Sequence, residues 1–220
     1  MAIAEPMTMV TDYAIAVACA WFAARLIFSE DNRRHFCRQA WGLGYFFIGI
    51  GALLGGTNHG FAPHLSNGAM ALMWKVAYYA AGLSMALCVA GTVIGSVKAQ
   101  GWRTILQVLN ALGFLAFAIW VTISDDSFLW VIIISVFALG AIALLQAWAF
   151  VRWKSKSATW LIAGVLVSFL SAAVQQSGID LHLHFSHNDL YHVVQMVGLY
   201  LLFRGAELLE AQGNAPPTPR

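Results

Sequence analysis

Leu181-His182-Leu183-His184-Phe185-Ser186-His187-Asn188-Asp189-Leu190-Tyr191-His192 runs directly into Val193-Val194-Gln195-Met196-Val197-Gly198-Leu199-Tyr200-Leu201-Leu202. Four of the chain's seven histidines lie in this stretch. Ser186 and Asp189 have the Ser-x-x-Asp spacing of a helix start, in which the acid reaches back to a free N–H. The spacing predicts His187 as the first helical residue. Asn188, His192, Gln195 and Leu199 then recur on one helix face. Their polar stripe enters an otherwise apolar helix. Lipid cannot satisfy such a stripe, so it must turn toward protein or a wet cavity.

The composition supplies the neighbours this helix needs. Of 220 residues 60% are hydrophobic and only 10% charged, and the mean hydropathy is +0.71. A soluble domain carries about 25% charged residues. The net charge of +2 is small and the basic residues are scattered, which excludes a nucleic-acid partner. The three cysteines, Cys19, Cys37 and Cys88, have no zinc or disulfide spacing and read as packing residues. The start of the sequence, Met1 to Pro6, lacks the basic region of a cleaved signal peptide, so the first apolar run is expected to stay.

Seven segments have the roughly 20 apolar residues of a membrane span. They cover about 10–28, 40–59, 69–96, 104–123, 128–151, 158–177 and 187–208. The fold class is therefore an all-α seven-transmembrane-helix bundle over residues 1–212, with residues 213–220 a Pro-rich disordered tail. Lys and Arg fall on alternate connections: Arg33, Arg34 and Arg38, then Lys98 and Arg103, then Arg152, Lys154 and Lys156, then Arg204 and Arg220. The other connections and the N-terminus carry Glu5, Asp12, Asp125, Asp126, Asp180 and histidines instead. The positive-inside rule then puts the N-terminus outside and the C-terminus in the cytoplasm, which requires an odd number of spans. The expected location is a bacterial inner membrane, crossed many times, with membrane lipids as partners.

In this orientation His59, which ends the second span, and His187 and His192, which begin the seventh, lie near one outer level. Gly51, Gly55 and His59 share a helix face, and small residues on a spanning helix mark close packing. Three neutral imidazoles with a water in the fourth position make a catalytic zinc site. The candidate ligands are His59, His192 and one of His187, His184 or His64. His187 and His192 are five apart, about 140° around a helix, so both reach one metal only if the helix start is unwound. Asn58, Lys75 and Gln195 are the candidate substrate-binding residues. Lys75 lies about two turns into the third segment, where an ionisable group is either functional or snorkels to the interface. Asp12 reads first as a helix cap or first-turn acid; pairing with Lys75 or orienting a histidine is the alternative. Gly164, Ser168, Ser171 and Gln175 read as an interhelical packing stripe, as do Gln107 and Asn110.

Seven spans, a histidine at the outer end of the second and a histidine-bearing start to the seventh resemble the CREST superfamily of heptahelical membrane hydrolases, which includes alkaline ceramidases and adiponectin-type receptors. That family resembles a bundle whose zinc is held by one His on the second helix and a His-x-x-x-His pair on the seventh. His59 matches the first of these and His192 the second member of the pair. Asn188 stands at the first member of the pair, Gly55 where the family has Ser, and Met70 where it has Asp. The run His187 to His192 is also similar to stretches in bacterial membrane proteins of unassigned function. What the resemblance implies is a zinc-dependent hydrolase acting on a lipid amide or ester near the outer face, with His59, His187 and His192 on the metal. The alternative is a non-enzymatic receptor, sensor or accessory subunit binding a small amphiphile or ion at the same pocket. No inverted repeat speaks for a transporter.

The topology is testable by fusion. Expressed in a bacterium, a C-terminal green fluorescent protein should fluoresce. Alkaline phosphatase should be inactive there and active when fused after Asp126. The reverse pattern would overturn the orientation.

Overall fold

A computed structural model describes residues 3–32, 35–124, 127–182 and 185–210. Seven long helices account for most of them: α1 Pro6–Phe28, α2 Phe36–Phe61, α3 Asn67–Ser96, α4 Gln100–Ile123, α5 Leu129–Trp153, α6 Ser157–Ser177 and α7 His187–Glu207. A single 3₁₀ turn, Ala62–His64, joins α2 to α3. No sheet is present among the described residues; His182 and Phe185 form one isolated bridge. All seven expected segments are helices, with ends within four residues of expectation. Several begin a turn early, because polar starts such as Gln100-Gly101-Trp102 continue the helical hydrogen bonding although they lower the hydropathy. The expected tail lies outside the described residues.

Local chemistry sets the ends. Pro6 opens α1, where its missing N–H is not needed. The Ser66 hydroxyl accepts the Ala69 N–H at the start of α3. Gly178 ends α6 at φ 64°, a left-handed conformation that glycine adopts without strain.

Six of the seven helices are long and apolar enough to cross a membrane. The exception is α7, whose first turns carry the polar stripe. Its neighbour is α1, and the two run parallel along their whole length. Thr8 and Thr11 bond to Asp189 and His192 at one end, and Arg25 lies 3.9 Å from Glu207 at the other.

The packing order is a ring. α1 packs on α2, α2 on α3, α3 on α5, α5 on α6, α6 on α7 and α7 on α1. α4 stands outside, seated on α3, and buries only Phe117 and Val121. Gln107 and Asn110 hold it there through the carbonyls of Ala90 and Ala86, the packing role expected of them.

One half of the ring is solid. Phe22 stacks on Phe203 at 4.5 Å and meets Tyr45 edge-on at 5.3 Å. The Tyr45 hydroxyl donates to the Leu199 carbonyl at 2.7 Å, and Trp41 Nε1 donates to Thr92 Oγ1 at 3.2 Å. Fully buried Gln146 donates to Ser96 and accepts from Ser157, pinning α5 to α3 and α6. At the basic end Arg38 Nε donates to the Leu209 carbonyl at 2.7 Å, satisfying a group left free beyond the end of α7. All three cysteines are buried as free thiols.

α6 and α7 approach so closely that a Cβ at Gly164 would sit 2.6 Å from Leu202 Cγ. Gly164→Leu should therefore cost about 1–3 kcal/mol or more through overpacking, read as a lower Tm of the detergent-solubilised protein. Gly113 on outlying α4 has nothing within 4 Å of its would-be Cβ. Gly113→Ala should leave the stability within about 0.5 kcal/mol of wild type, read as a nearly unchanged Tm.

Candidate functional site

The site starts from the capping box at Ser186. The Ser186 N–H and hydroxyl donate to Asp189 Oδ2 at 2.7 and 3.0 Å. Oδ1 of the same carboxylate accepts from Thr8 Oγ1 at 2.9 Å. Asp189, 2% exposed, thus caps its own helix and ties that helix to α1. One turn on, His192 is clamped by the same helix. Its Nδ1 lies 2.8 Å from Thr11 Oγ1 and its Nε2 lies 3.3 Å from Asp12 Oδ1.

The Thr11 hydroxyl has one proton and two further neighbours, the carbonyls of Met7 and Thr8, each at 3.0 Å. If that proton goes to Nδ1, a neutral ring carries its own proton on Nε2, the nitrogen that faces Asp12. If it goes to a carbonyl, Nδ1 carries the ring proton and donates to the hydroxyl oxygen. In both arrangements Thr11 occupies Nδ1 and the Asp12 carboxylate faces Nε2.

Asp12 is the seventh residue of α1, nearly two turns in and 7% exposed. This corrects the first reading of it as a cap. The alternative role, orienting a histidine, is the one its position serves.

Two of the three metal candidates come to one place. His59 and His192 line a single cavity of about 470 Å³ that is the lumen of the six-helix ring. The Gly51, Gly55 and His59 face of α2 lines it, as does the Asn188, His192, Gln195 and Leu199 face of α7. The two histidines are not joined directly: α1 packs closely on both α2 and α7, which touch each other little. His59 Nδ1 lies 3.0 Å from Glu5 Oε2, and its ring edge meets Trp74 at 5.5 Å.

His187 is not in the cavity wall. Its backbone N–H and Nδ1 each lie 2.8 Å from Asp180 Oδ1. The His187 side chain's bond, with the backbone one behind it, holds the Asp180 carboxyl below its ordinary range. His64 lies exposed in the 3₁₀ turn, and His184 lies outside the described residues. Among the described residues no three His, Cys, Asp or Glu side chains are grouped closely enough to hold a metal ion. With both nitrogens of His192 engaged and His187 turned to Asp180, the set His59, His187 and His192 does not fit a zinc centre as it stands.

The three substrate-binding candidates also separate. Gln195 lines the cavity, its Nε2 donating to Ser168 Oγ at 3.2 Å and its Oε1 accepting from Ser171. The packing stripe of α6 therefore forms part of the wall. Lys75 does not line it: Nζ donates to the Val121 carbonyl on α4 at 2.6 Å. Asn58 is buried beside His59 outside the wall, and neither atom of its amide has a hydrogen-bond partner.

Thr8, Thr11 and Glu5 were missed by sequence reasoning as partners of Asp189, His192 and His59. A threonine in an apolar helix commonly bonds its own backbone, so only a Thr-x-x-Thr-Asp run on one helix face signalled a partner.

A family model described as a family of unknown function, DUF6962, matches residues 7–211. No curated protein and no solved structure matches the chain.

The Asp12 and His192 contact should show as coupling. In a double-mutant cycle of Asp12→Asn and His192→Gln, followed by thermal unfolding, the interaction energy should be roughly 0.5–3 kcal/mol. Additive effects would mean that the pair contributes nothing.

Proposed function

The chain belongs to the DUF6962 family of unknown function, and for it we propose a multi-pass membrane protein that holds a small amphiphile in the lumen of its helix ring. The observation that carries this reading is how the cavity wall divides. Polar side chains, Asp12, His59, Gln175, Asn188, His192 and Gln195, collect toward one end. Deeper in, the wall is Ile15, Phe47, Ile48, Met85, Leu139 and their neighbours. A volume of about 470 Å³ is that of a small-molecule site. A mostly apolar cavity with a few convergent polar groups suits a ligand with one polar head and a hydrocarbon tail.

Seven spans belong to the proposal. α7 lies parallel to α1 and turns its polar stripe inward, so its low hydropathy does not exclude a crossing. The loop charges support an outward-facing polar end and a bacterial inner-membrane setting. The role is that of a receptor, sensor or accessory subunit that responds to the ligand.

Metal-dependent lipid hydrolysis, implied by the CREST resemblance, is the second reading. One observation favours it: Glu5 bonds His59 Nδ1 and leaves Nε2 outside that pair, as a carboxylate behind a metal-ligating histidine does. Element analysis separates the two, because hydrolysis of this type requires about one zinc per chain.

The binding reading is tested with tritiated dodecanol and protein in phosphatidylcholine nanodiscs. Saturable binding above empty discs is expected. A Cβ at Gly51 would meet only the Ala77 carbonyl oxygen, at 3.7 Å, so Gly51→Leu should fold and fill the lumen. It should weaken binding about tenfold, the equivalent of 1.4 kcal/mol. Unsaturable binding, or equal binding by the variant, would overturn the reading.

A further inference from the structure

We infer that the head group the cavity selects is a primary alkylammonium, a cation with N–H donors. The inference rests on the amphiphile-binding reading and adds the charge of the ligand.

The wall carries a single formally charged side chain, the Asp12 carboxylate, and no Lys or Arg among the described residues. The same end of the bundle carries further acids. Glu5 bonds His59 at the cavity, Asp189 sits one turn before His192, and Asp180 holds the loop between α6 and α7. Lys75 is the one lysine toward this end, and its ammonium is committed to the Val121 carbonyl on α4, outside the ring. An anionic head entering here would meet Asp12 with no Lys or Arg in the described wall to balance it, in a surround where charge interactions are poorly screened. A cationic head meets the opposite charge.

Space and surroundings agree. Gly55 lies between Asp12 and Trp74: a Cβ there would sit 3.5 Å from Asp12 Oδ2 and 3.9 Å from the indole. The missing side chain leaves a slot with a carboxylate on one side and an aromatic ring on the other. Trp74, Tyr78 and Phe128 continue as a run of rings, with centroids 6.1 and 6.2 Å apart. Aromatic rings stabilise a desolvated ammonium. Among the described residues no hydrogen bond reaches Asp12 Oδ2, and His192 lies on Oδ1, so Oδ2 can accept from an N–H. A primary amine exploits that acceptor, which a quaternary ammonium cannot.

The test compares four twelve-carbon probes on wild-type protein in phosphatidylcholine nanodiscs at neutral pH: dodecylamine, dodecanol, laurate and dodecyltrimethylammonium. Dodecylamine should bind at least about tenfold more tightly than dodecanol, as a charge-assisted hydrogen bond provides. Laurate should bind more weakly than dodecanol, and dodecyltrimethylammonium more weakly than dodecylamine. Asp12→Asn should bring dodecylamine to within about threefold of dodecanol, both measured on that variant. Equal binding of amine and alcohol, or tightest binding of laurate, would overturn the cation preference and leave the amphiphile reading standing. No saturable binding by any probe would overturn both. The wild-type series decides the matter even if Asp12→Asn fails to fold.

Discussion

The parallel contact between α1 and α7 is what the rest of the architecture depends on. α7 begins with Asp189, His192 and Gln195 on or beside a face that lipid cannot solvate. Thr8, Thr11 and Asp12 provide bonding partners for the first two on an adjoining helix. Polar groups buried in a low-dielectric interior are tolerable only when they are hydrogen-bonded, and here each helix satisfies the other. That pairing at one end and the Phe22–Phe203 stack farther along the same two helices hold α7 against α1 and close the ring.

Closure has a geometric consequence. Five further contacts, α1 on α2, α2 on α3, α3 on α5, α5 on α6 and α6 on α7, leave a lumen that no single helix defines. Toward the basic end the lumen is filled by Trp41, Tyr45, Phe22 and Phe203. Toward the acidic end glycines at 51 and 55 stand where larger side chains would fill the space, and the cavity persists. The groups that close the ring and the groups that line the cavity overlap, since Asp12 and His192 do both. Under the proposed binding reading, stability and binding would be coupled at those two residues.

The zinc reading and the binding reading divide over the same imidazoles. Each of the three histidines considered as ligands is held by a carboxylate: His59 by Glu5, His187 by Asp180 and His192 by Asp12. A carboxylate behind a histidine serves a metal when a ring nitrogen remains for it. At His192, Thr11 takes the other nitrogen. At His59 and His192 the acid and hydroxyl partners make the rings parts of a polar wall, which would suit a polar head group.

Much of this was legible in the chain itself. Runs of apolar residues marked all seven helices, because the length and composition of such a run are written locally in the chain and do not depend on the neighbouring helix. Ser186 and Asp189 announced the start of α7, since a capping box is satisfied within four residues. The inward face of Asn188, His192, Gln195 and Leu199 followed from helical periodicity alone. What only the tertiary structure decided was who meets whom. That α4 stands aside while α3 meets α5, that Asp12 pairs with His192 rather than Lys75, and that His187 turns to Asp180 all depend on how closely glycine-bearing faces approach and in what order the ring closes. Across α1 and α7 the bonded partners lie as much as 181 residues apart, beyond the reach of any local pattern.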